Sequence, residues 1–411
     1  MNHLTADAVI IGGGASGMLC SAVAAQRGLN VILLEPNNTL GRKLRITGKG
    51  RCNVTNNCEI RELLANIPGD GRFLYSALNR LSPRDTMEMF EHLGLELKTE
   101  RGNRVFPVSD NANDVAETLI RYMKRSNVTV KHACAQHILT QDGHVSGVET
   151  DDGIIDCGCV CICTGGLSYP LTGSRGAGYR MAKELGHTVT KLRPSLVPLE
   201  CEEDYCAEMQ GFSLRNVRLN AYEDGKLIFS ELGEMLFTHF GISGPLIISA
   251  SSYYVKKNYN DKVTLEIDLK PALTEEQLDK RILRDFEDNQ NKSFKNGIAG
   301  LLPSRMIPIV IELCGIDSER PVHSITREER LKLINILKHL RVTVNGTRPF
   351  SEAIVTQGGI SIKDVNPSTM ESKLIEGLYI TGELLDLDAL TGGFNLQIAW
   401  STGWAAGMEE I

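Results

Sequence analysis

The amino-acid sequence predicts an α/β fold in which a parallel-sheet domain is interrupted by a small β-barrel and a helical subdomain. Three observations carry that expectation. A strand, a glycine turn, a helix and a second strand open the chain. Short strands separated by hairpin turns fill the stretch from Val128 to Cys163. After Lys191 the pattern changes to short strands, then to helices, and it returns to strands and glycine turns from Phe350 onward. A length of 411 residues suits two or three domains at roughly 100–200 residues each. The expected boundaries are 1–190 with 350–411 for the discontinuous parallel-sheet domain, 191–270 with 341–349 for the barrel, and 271–340 for the helical insert.

The first unit follows from its residue types. Asp7–Ile11 is a β-branched run that leads into Gly12-Gly-Gly14-Ala15-Ser16-Gly17. Met18–Arg27 is rich in helix formers and stops at Gly28, and Asn30–Leu34 is a second apolar strand ending in Glu35. Strand, G-x-G-x-x-G, helix, strand and acid at these offsets form the dinucleotide-binding βαβ unit. Gly12 permits the turn, Gly14 lets backbone approach a pyrophosphate, and Gly17 lets helix pack on strand. The helix N-terminus offers free N–H groups to the phosphates. Glu35 is placed to accept hydrogen bonds from both ribose hydroxyls.

The segment Leu40–Asn56 reads as a backbone-rich loop around a long anionic ligand. It mixes Gly41, Gly48 and Gly50 with Arg42, Lys43, Lys49 and Arg51, followed by Cys52 and Asn53. Next come a helix over Asp114–Arg125 and strands at Val128–Ala133, Gln136–Thr140, Val145–Glu149 and Ile154–Cys163, with Asp142-Gly143 and Asp152-Gly153 as hairpin turns. An antiparallel meander within a parallel sheet is the crossover of a glutathione-reductase-like FAD (Rossmann-type) domain. FAD is therefore expected over NAD as the resident cofactor. Cys163-Thr164-Gly165-Gly166 offers a second approach to it. A third lies at Gly382-Glu383 and at Thr391-Gly-Gly393-Phe394-Asn395, which opens a helix over Leu396–Gly407 whose N-terminus would stabilise negative charge on a reduced flavin.

Several segments together carry a family resemblance. They are Ile10–Gly17, Gly41–Leu44 with Gly48–Asn56, Arg104–Pro107, Thr164–Pro170, Phe237–Pro245, Val355–Gly359, Thr381–Asp386 and Gly392–Gln397. They span nearly the whole chain, and Gly-Arg-Cys-Asn-Val-Thr-Asn is far more specific than the glycine fingerprint. The sequence resembles the FAD-dependent oxidoreductases grouped with the bile-acid enone reductase BaiN and with aminoacetone oxidase. That resemblance implies FAD contacts at Ala15, Ser16, Glu35, Arg42, Lys43, Gly50, Cys52, Asn53, Gly165, Glu383, Phe394 and Asn395, and an adenine contact near Ala135. Phe394 stands where the family often has Tyr.

The inserted region is read from its own pattern. Strands at Val197–Glu200, Asn216–Tyr222, Lys226–Ser230 and Val263–Leu269, with a returning strand at Arg341–Asn345, suggest the barrel. Helices are expected at 275–288, 303–314 and 327–340. Thr274 with Gln277 and Thr326 with Glu329 have capping-box spacing. Such an insert would roof the flavin and shape a substrate pocket. His239, beside the Gly241–Gly244 turn, is a candidate proton donor, since an imidazole is tuned for that task near neutral pH. Tyr169 is a second candidate catalytic group.

Composition and spacing exclude other classes. A make-up of 42% hydrophobic and 23% charged residues is ordinary globular. Lys+Arg 44 against Asp+Glu 51 gives a net charge of −7 without a basic run, so no nucleic-acid partner is expected. No apolar run reaches the ~18–20 residues of a membrane span. Irregularly spaced cysteines and the lack of a signal-like start at Met1–Asp7 point to a reducing, cytoplasmic setting. Cys157, Cys159, Cys161 and Cys163 alternate along a strand about 6.6–7 Å apart. That is too far to share one tetrahedral ion, and no histidine spacing suggests a metal. Cys52 and Cys58 stand at C-x5-C, which does not match a flavin disulfide reductase, so Cys52 reads as a packing or cofactor-contact residue.

The resemblance implies hydride transfer at flavin N5. The expected activity is NAD(P)H-driven reduction of a conjugated C=C (an enone) in a small or steroid-like substrate. The alternative is FAD-dependent oxidation of an amine (aminoketone) with O2, and another class is a flavin-containing binding or modification factor. Reduction is preferred because no aromatic amine cage is evident. With no second G-x-G-x-x-G, NAD(P)H would dock transiently.

Overall fold

The computed structural model describes residues 4–256 and 263–409. The chain forms two compact units, residues 1–195 with 350–411 and residues 196–349. In the first, five parallel strands lie in the order Leu378–Ile380, Cys159–Ile162, Ala8–Ile11, Val31–Leu34 and Thr129–Lys131. The middle three are buried along their whole length, which is why they read as continuous apolar runs without polar alternation.

The opening helix, Ala15–Gln26, and the final helix, Phe394–Gly407, pack against each other behind this sheet. Each is apolar nearly all round, as a helix buried on every side must be. Small residues set their approach. A Cβ on Gly403 would stand 2.6 Å from the Ser16 carbonyl oxygen, and one on Gly407 would stand 2.8 Å from that of Cys20.

Two sequence expectations change here. The single strand expected over Ile154–Cys163 is two strands in different sheets. Gly153–Asp156 pairs antiparallel with His144–Thr150 in the meander, whereas Cys159–Ile162 joins the parallel sheet. The crossing falls at Cys157-Gly158, and the four thiols remain buried. The Cys161 and Cys163 sulfurs lie 3.4 Å apart, closer than the strand repeat, because Cys163 lies beyond the strand's end. The second change concerns Leu40–Asn56, which is not loop throughout. A helix runs over Arg42–Gly50, broken at Thr47, Gly48 and Lys49. Leu44 is buried, and Arg45 pairs with Glu117 at 2.8 Å, so this helix docks on Ala112–Arg125.

Residues between Asn57 and Pro107, unassigned from sequence, supply the helix Pro83–His92 with a Ser82/Asp85 capping box. They also supply two strands, Leu97–Glu100 and Arg104–Pro107, that build a small sheet with Thr55–Asn56.

The second unit is a closed barrel of six strands with helices sharing its core. Ser213–Glu223 and Lys226–Thr238 form its long hairpin, turned by Asp224 and Gly225 at φ of 48° and 76°. Helix Pro245–Lys256, which sequence reading missed, buries Leu246, Ile247 and Val255. Helices Glu275–Glu287 and Arg327–Lys338 carry the capping boxes their spacing predicts. Helix Ile307–Cys314 lies between them in sequence.

Replacing glycine by alanine inside a helix ordinarily stabilises by ~1 kcal/mol. At Gly403 the sign should reverse, with Gly403→Ala losing roughly 1–3 kcal/mol through overpacking against Ser16. Urea unfolding of the variant checks this, and a gain in stability would contradict it.

Candidate cofactor-binding site

The glycine fingerprint is built by contacts that exclude side chains. Gly12 has φ of 110°, donates its N–H to the Leu34 carbonyl at 2.8 Å, and would place a Cβ 2.7 Å from the Cys163 carbonyl oxygen. A Cβ on Gly17 would collide with the Gly12 carbonyl oxygen at 1.9 Å. Gly14 differs, because a Cβ there meets no atom within 4 Å. Its backbone faces open space at the N-terminus of the opening helix.

Side-chain caps mark some of the described helices and not others. Pro83–His92, Ala112–Arg125, Glu275–Glu287 and Arg327–Lys338 begin with a side chain that accepts from the first turn. The opening and final helices begin at Gly14 and Gly393 with no side-chain cap. Their first N–H groups and the positive ends of their dipoles are therefore available to an anionic or electron-rich ligand.

Glu35 is held rigidly. Its Oε2 accepts from the Gly13 N–H at 2.9 Å, and its Oε1 accepts from the Asn37 N–H at 2.9 Å and from Asn37 Nδ2 at 2.6 Å. About four acceptor positions on a carboxylate leave one, on Oε2. The sequence expectation of two ribose hydrogen bonds thus narrows to one. Arg42 reaches Asn37 at 2.5 Å, which joins the broken helix to the same corner.

Glu383 ties four segments together. Its Oε1 accepts from Ser168 Oγ at 2.7 Å and from the Thr356 N–H at 2.9 Å, and its Oε2 pairs with Lys43, which also donates to Ser168 Oγ at 2.7 Å. Gly166 packs against this knot, since a Cβ there would stand 2.4 Å from Thr356 Oγ1. Lys43 and Glu383 hold the loops in place through their shared bonds to each other, Ser168 and Thr356. Gly165 and Gly382 turn beside them with φ of 69° and 68°. Ser16 Oγ donates to Thr381 Oγ1 at 2.7 Å.

The final helix fixes the far side. Trp400 Nε1 donates to the Val54 carbonyl at 2.8 Å, Thr55 Oγ1 donates to Gln397 Oε1 at 2.5 Å, and Asn56 Nδ2 donates to the Gly392 carbonyl at 2.9 Å. A Cβ on Gly393 would stand 2.4 Å from the Thr55 backbone. Asn395 is committed to its own loop through Ala389, Phe394 is buried, and Leu396 completes the first turn. Gln397 closes the Gly392–Gln397 motif without a role that the sequence reveals, and Trp400, in an apolar helix, carries no motif. The signal that was present is the Gly403-x-x-x-Gly407 spacing.

Two observations test whether a flavin dinucleotide suits these residues. Asn53 Oδ1 and Thr164 Oγ1 are buried with no hydrogen-bond partner, which calls for a ligand polar group or water. Left-handed backbone at residues other than Gly, Asn and Asp occurs, among the described residues, at Lys49, Cys52, Tyr169, Leu196 and Met370. Lys49, Cys52 and Tyr169 belong to the segments around the candidate site, where such strain concentrates when it serves function. The residues fit the group.

The remaining candidates are placed differently. The Arg51 guanidinium pairs with Glu100 and Asp110 and lies 4.2 Å over the Phe106 ring, so only its backbone is free for a ligand. Gly50 has open space around a hypothetical Cβ. Cys52 is fully buried and its thiol is pushed up to about 12, which removes nucleophilic character. Ala135 begins a strand opposite Thr150, and no hydrogen bond ties it to the fingerprint. Glu35 is reached instead from Lys131, whose carbonyl accepts its N–H at 3.1 Å. Half-burial raises the Tyr169 phenol, and its N–H donates to the Phe350 carbonyl at 3.1 Å. His239 lies in the other unit, exposed, with its ring edge-on to Phe240 at 5.0 Å.

Comparison with known proteins agrees with this construction. Residues 6–409 match the family described as HI0933-like protein Rossmann domain. The 3-dehydro-bile acid delta(4,6)-reductase of Clostridium scindens is 31% identical, with 97% of each chain covered. The ribosomal RNA dihydrouridine synthase of Escherichia coli is also 31% identical, with 98% of each covered. Among solved structures, 3-ketosteroid delta1-dehydrogenase from Sterolibacterium denitrificans shares the fold at 13% identity, a TM-score of 0.53 and 98% coverage of both chains.

The two fingerprint glycines should separate binding from folding. Gly14→Ala, in open space at a φ of −84°, is expected to leave the thermal midpoint of the apoprotein unchanged while FAD affinity falls by at least roughly tenfold. Gly17→Ala should lower the midpoint itself. Equal effects of the two on folding would contradict this assignment.

Proposed function

The chain belongs to the HI0933-like family of FAD-dependent Rossmann oxidoreductases, and from that premise we propose that it reduces a carbon–carbon double bond conjugated to a carbonyl, with NAD(P)H as reductant. The observation that carries this reading is the near-full-length similarity to two relatives whose names share one reaction type. A delta(4,6) bond beside a 3-oxo group and the C5–C6 bond of uracil are both C=C bonds conjugated to C=O.

Bound FAD would supply the two-electron hydride carrier between reductant and substrate at N5. The chain's own residues supply the rest. The N–H groups following Gly14 neutralise the pyrophosphate, Glu35 fixes a ribose hydroxyl, and the Glu383–Lys43–Ser168 knot holds the surrounding loops against the sheet. The final helix presents its positive end to developing negative charge.

Saturating the substrate takes one hydride at the β-carbon and one proton at the α-carbon. His239 is the first candidate for the proton donor. Tyr169 is the second donor, since burial keeps its phenol protonated. A small or steroid-like enone is the first substrate class. A uracil ring within RNA is the second reading, favoured by the equal similarity to the E. coli relative but not by a net charge of −7.

Anaerobic NADH or NADPH is expected to bleach the flavin, and a 3-oxo-4,6-diene steroid should restore its absorbance. A uridine-containing transcript in place of the steroid distinguishes the second substrate. His239→Asn should slow that reoxidation by roughly 10²–10⁴-fold and leave bleaching unchanged. Bleaching by an aminoketone but by neither nicotinamide nucleotide would overturn the reductase reading.

A further inference from the structure

A cavity of about 460 Å³ lies in the first unit on the outer side of helix Ala177–Glu184. That volume falls within the ~300–1,000 Å³ of small-molecule sites. Leu167 and Leu192 supply apolar walls, with the buried Tyr179 ring beneath them, while Arg175, Arg180 and Lys183 supply positive charge and Glu184 supplies negative charge. Arg180 is engaged, pairing with Glu184 at 2.7 Å and donating to the Gln136 carbonyl at 2.7 Å. Among the described residues, Arg175 and Lys183 have no ion-pair or hydrogen-bond partner through their side chains.

The helix between them begins at Gly176, in left-handed conformation, with no side-chain cap. Its inner face touches the cofactor residues. A Cβ on Gly178 would stand 2.1 Å from Thr164 Oγ1, and the Tyr179 hydroxyl donates to the Glu383 carbonyl at 3.5 Å. One short helix therefore has the cavity on one side and the candidate cofactor loops on the other.

We propose that this cavity binds an adenine nucleotide, with its phosphates on Arg175 and Lys183 and its base against Leu167 and Leu192. A planar base suits the apolar walls, and a diphosphate suits two unpaired cations, of which Arg175 precedes the free N–H groups of the helix. Its role as the docking place of NAD(P)H rests on the reductase reading above. The binding itself does not.

The test uses FAD-loaded protein, so the fingerprint is filled, and measures equilibrium binding of ADP, adenosine 2′,5′-bisphosphate and inorganic phosphate. Both nucleotides are expected to bind. The Arg175→Gln/Lys183→Gln variant should bind them at least roughly tenfold more weakly with unchanged FAD content. The two side chains are exposed, so the core is untouched by the change. Absence of nucleotide binding, equal binding by the variant, or phosphate binding as tightly as ADP would each overturn the proposal. Nucleotide binding without flavin reduction by NADPH or NADH would leave the cavity assignment standing and remove the reductase reading.

Discussion

The close approach of the first and last helices is the constraint on which the rest of the first unit depends. Gly403 and Gly407 let the final helix meet the backbone of the first where any side chain would intervene. That contact brings residues from the two ends of the sequence together, so Ser16 bonds Thr381 and a Cβ on Gly382 would stand 3.3 Å from Ser16 Cβ. The pocket for a dinucleotide is thus a product of long-range packing between helices that are apolar on every face.

The two helices also share a choice of residue at their starts. A side-chain cap contributes about 1 kcal/mol to a helix, and glycine comes within a few tenths of that. Of the helices outside the candidate site, Pro83–His92, Ala112–Arg125, Glu275–Glu287 and Arg327–Lys338 carry Ser82, Asn111, Thr274 and Thr326 as caps. The helices that would face the cofactor begin at glycine and leave their N–H groups unpaired by side chains. Carboxylates nearby are occupied in positioning, with Glu35 fastened to Gly13 and Asn37, and Glu383 to Lys43, Ser168 and Thr356. Rigid placement of this kind lowers the ordering cost when a ligand binds.

Much of this was legible in the sequence, for identifiable reasons. The fingerprint, the Asp224-Gly225 hairpin and the capping boxes are local, so spacing alone reveals them. What was hidden depends on contacts between distant residues. Gln397 and Trp400 fasten the Val54–Asn56 segment through hydrogen bonds that span more than three hundred residues. The break at Thr47–Lys49 was read as loop throughout because its glycines outweighed the helix formers before it, and Leu44 docking on Ala112–Arg125 decided otherwise. Helix Pro245–Lys256, rich in Ser, Tyr and Ile, gave no clear amphipathic period, and it is its packing on barrel strand Lys226–Thr238 that buries Leu246, Ile247, Ala250, Tyr254 and Val255. The side-chain commitment of Arg51 to Glu100 and Asp110 was equally invisible, since basic residues near glycines look alike whether they bind phosphate or carboxylate.

Hydrogen–deuterium exchange of the apoprotein, before and after FAD addition, tests most directly whether the two ends of the chain form one site. The amides of Ala15–Gly17 and of Phe394–Leu396, which lack side-chain caps, are expected to gain protection together, while those of Ser213–Glu223 in the barrel remain unchanged. Protection confined to the first helix, or spread equally over the barrel strands, would contradict the account.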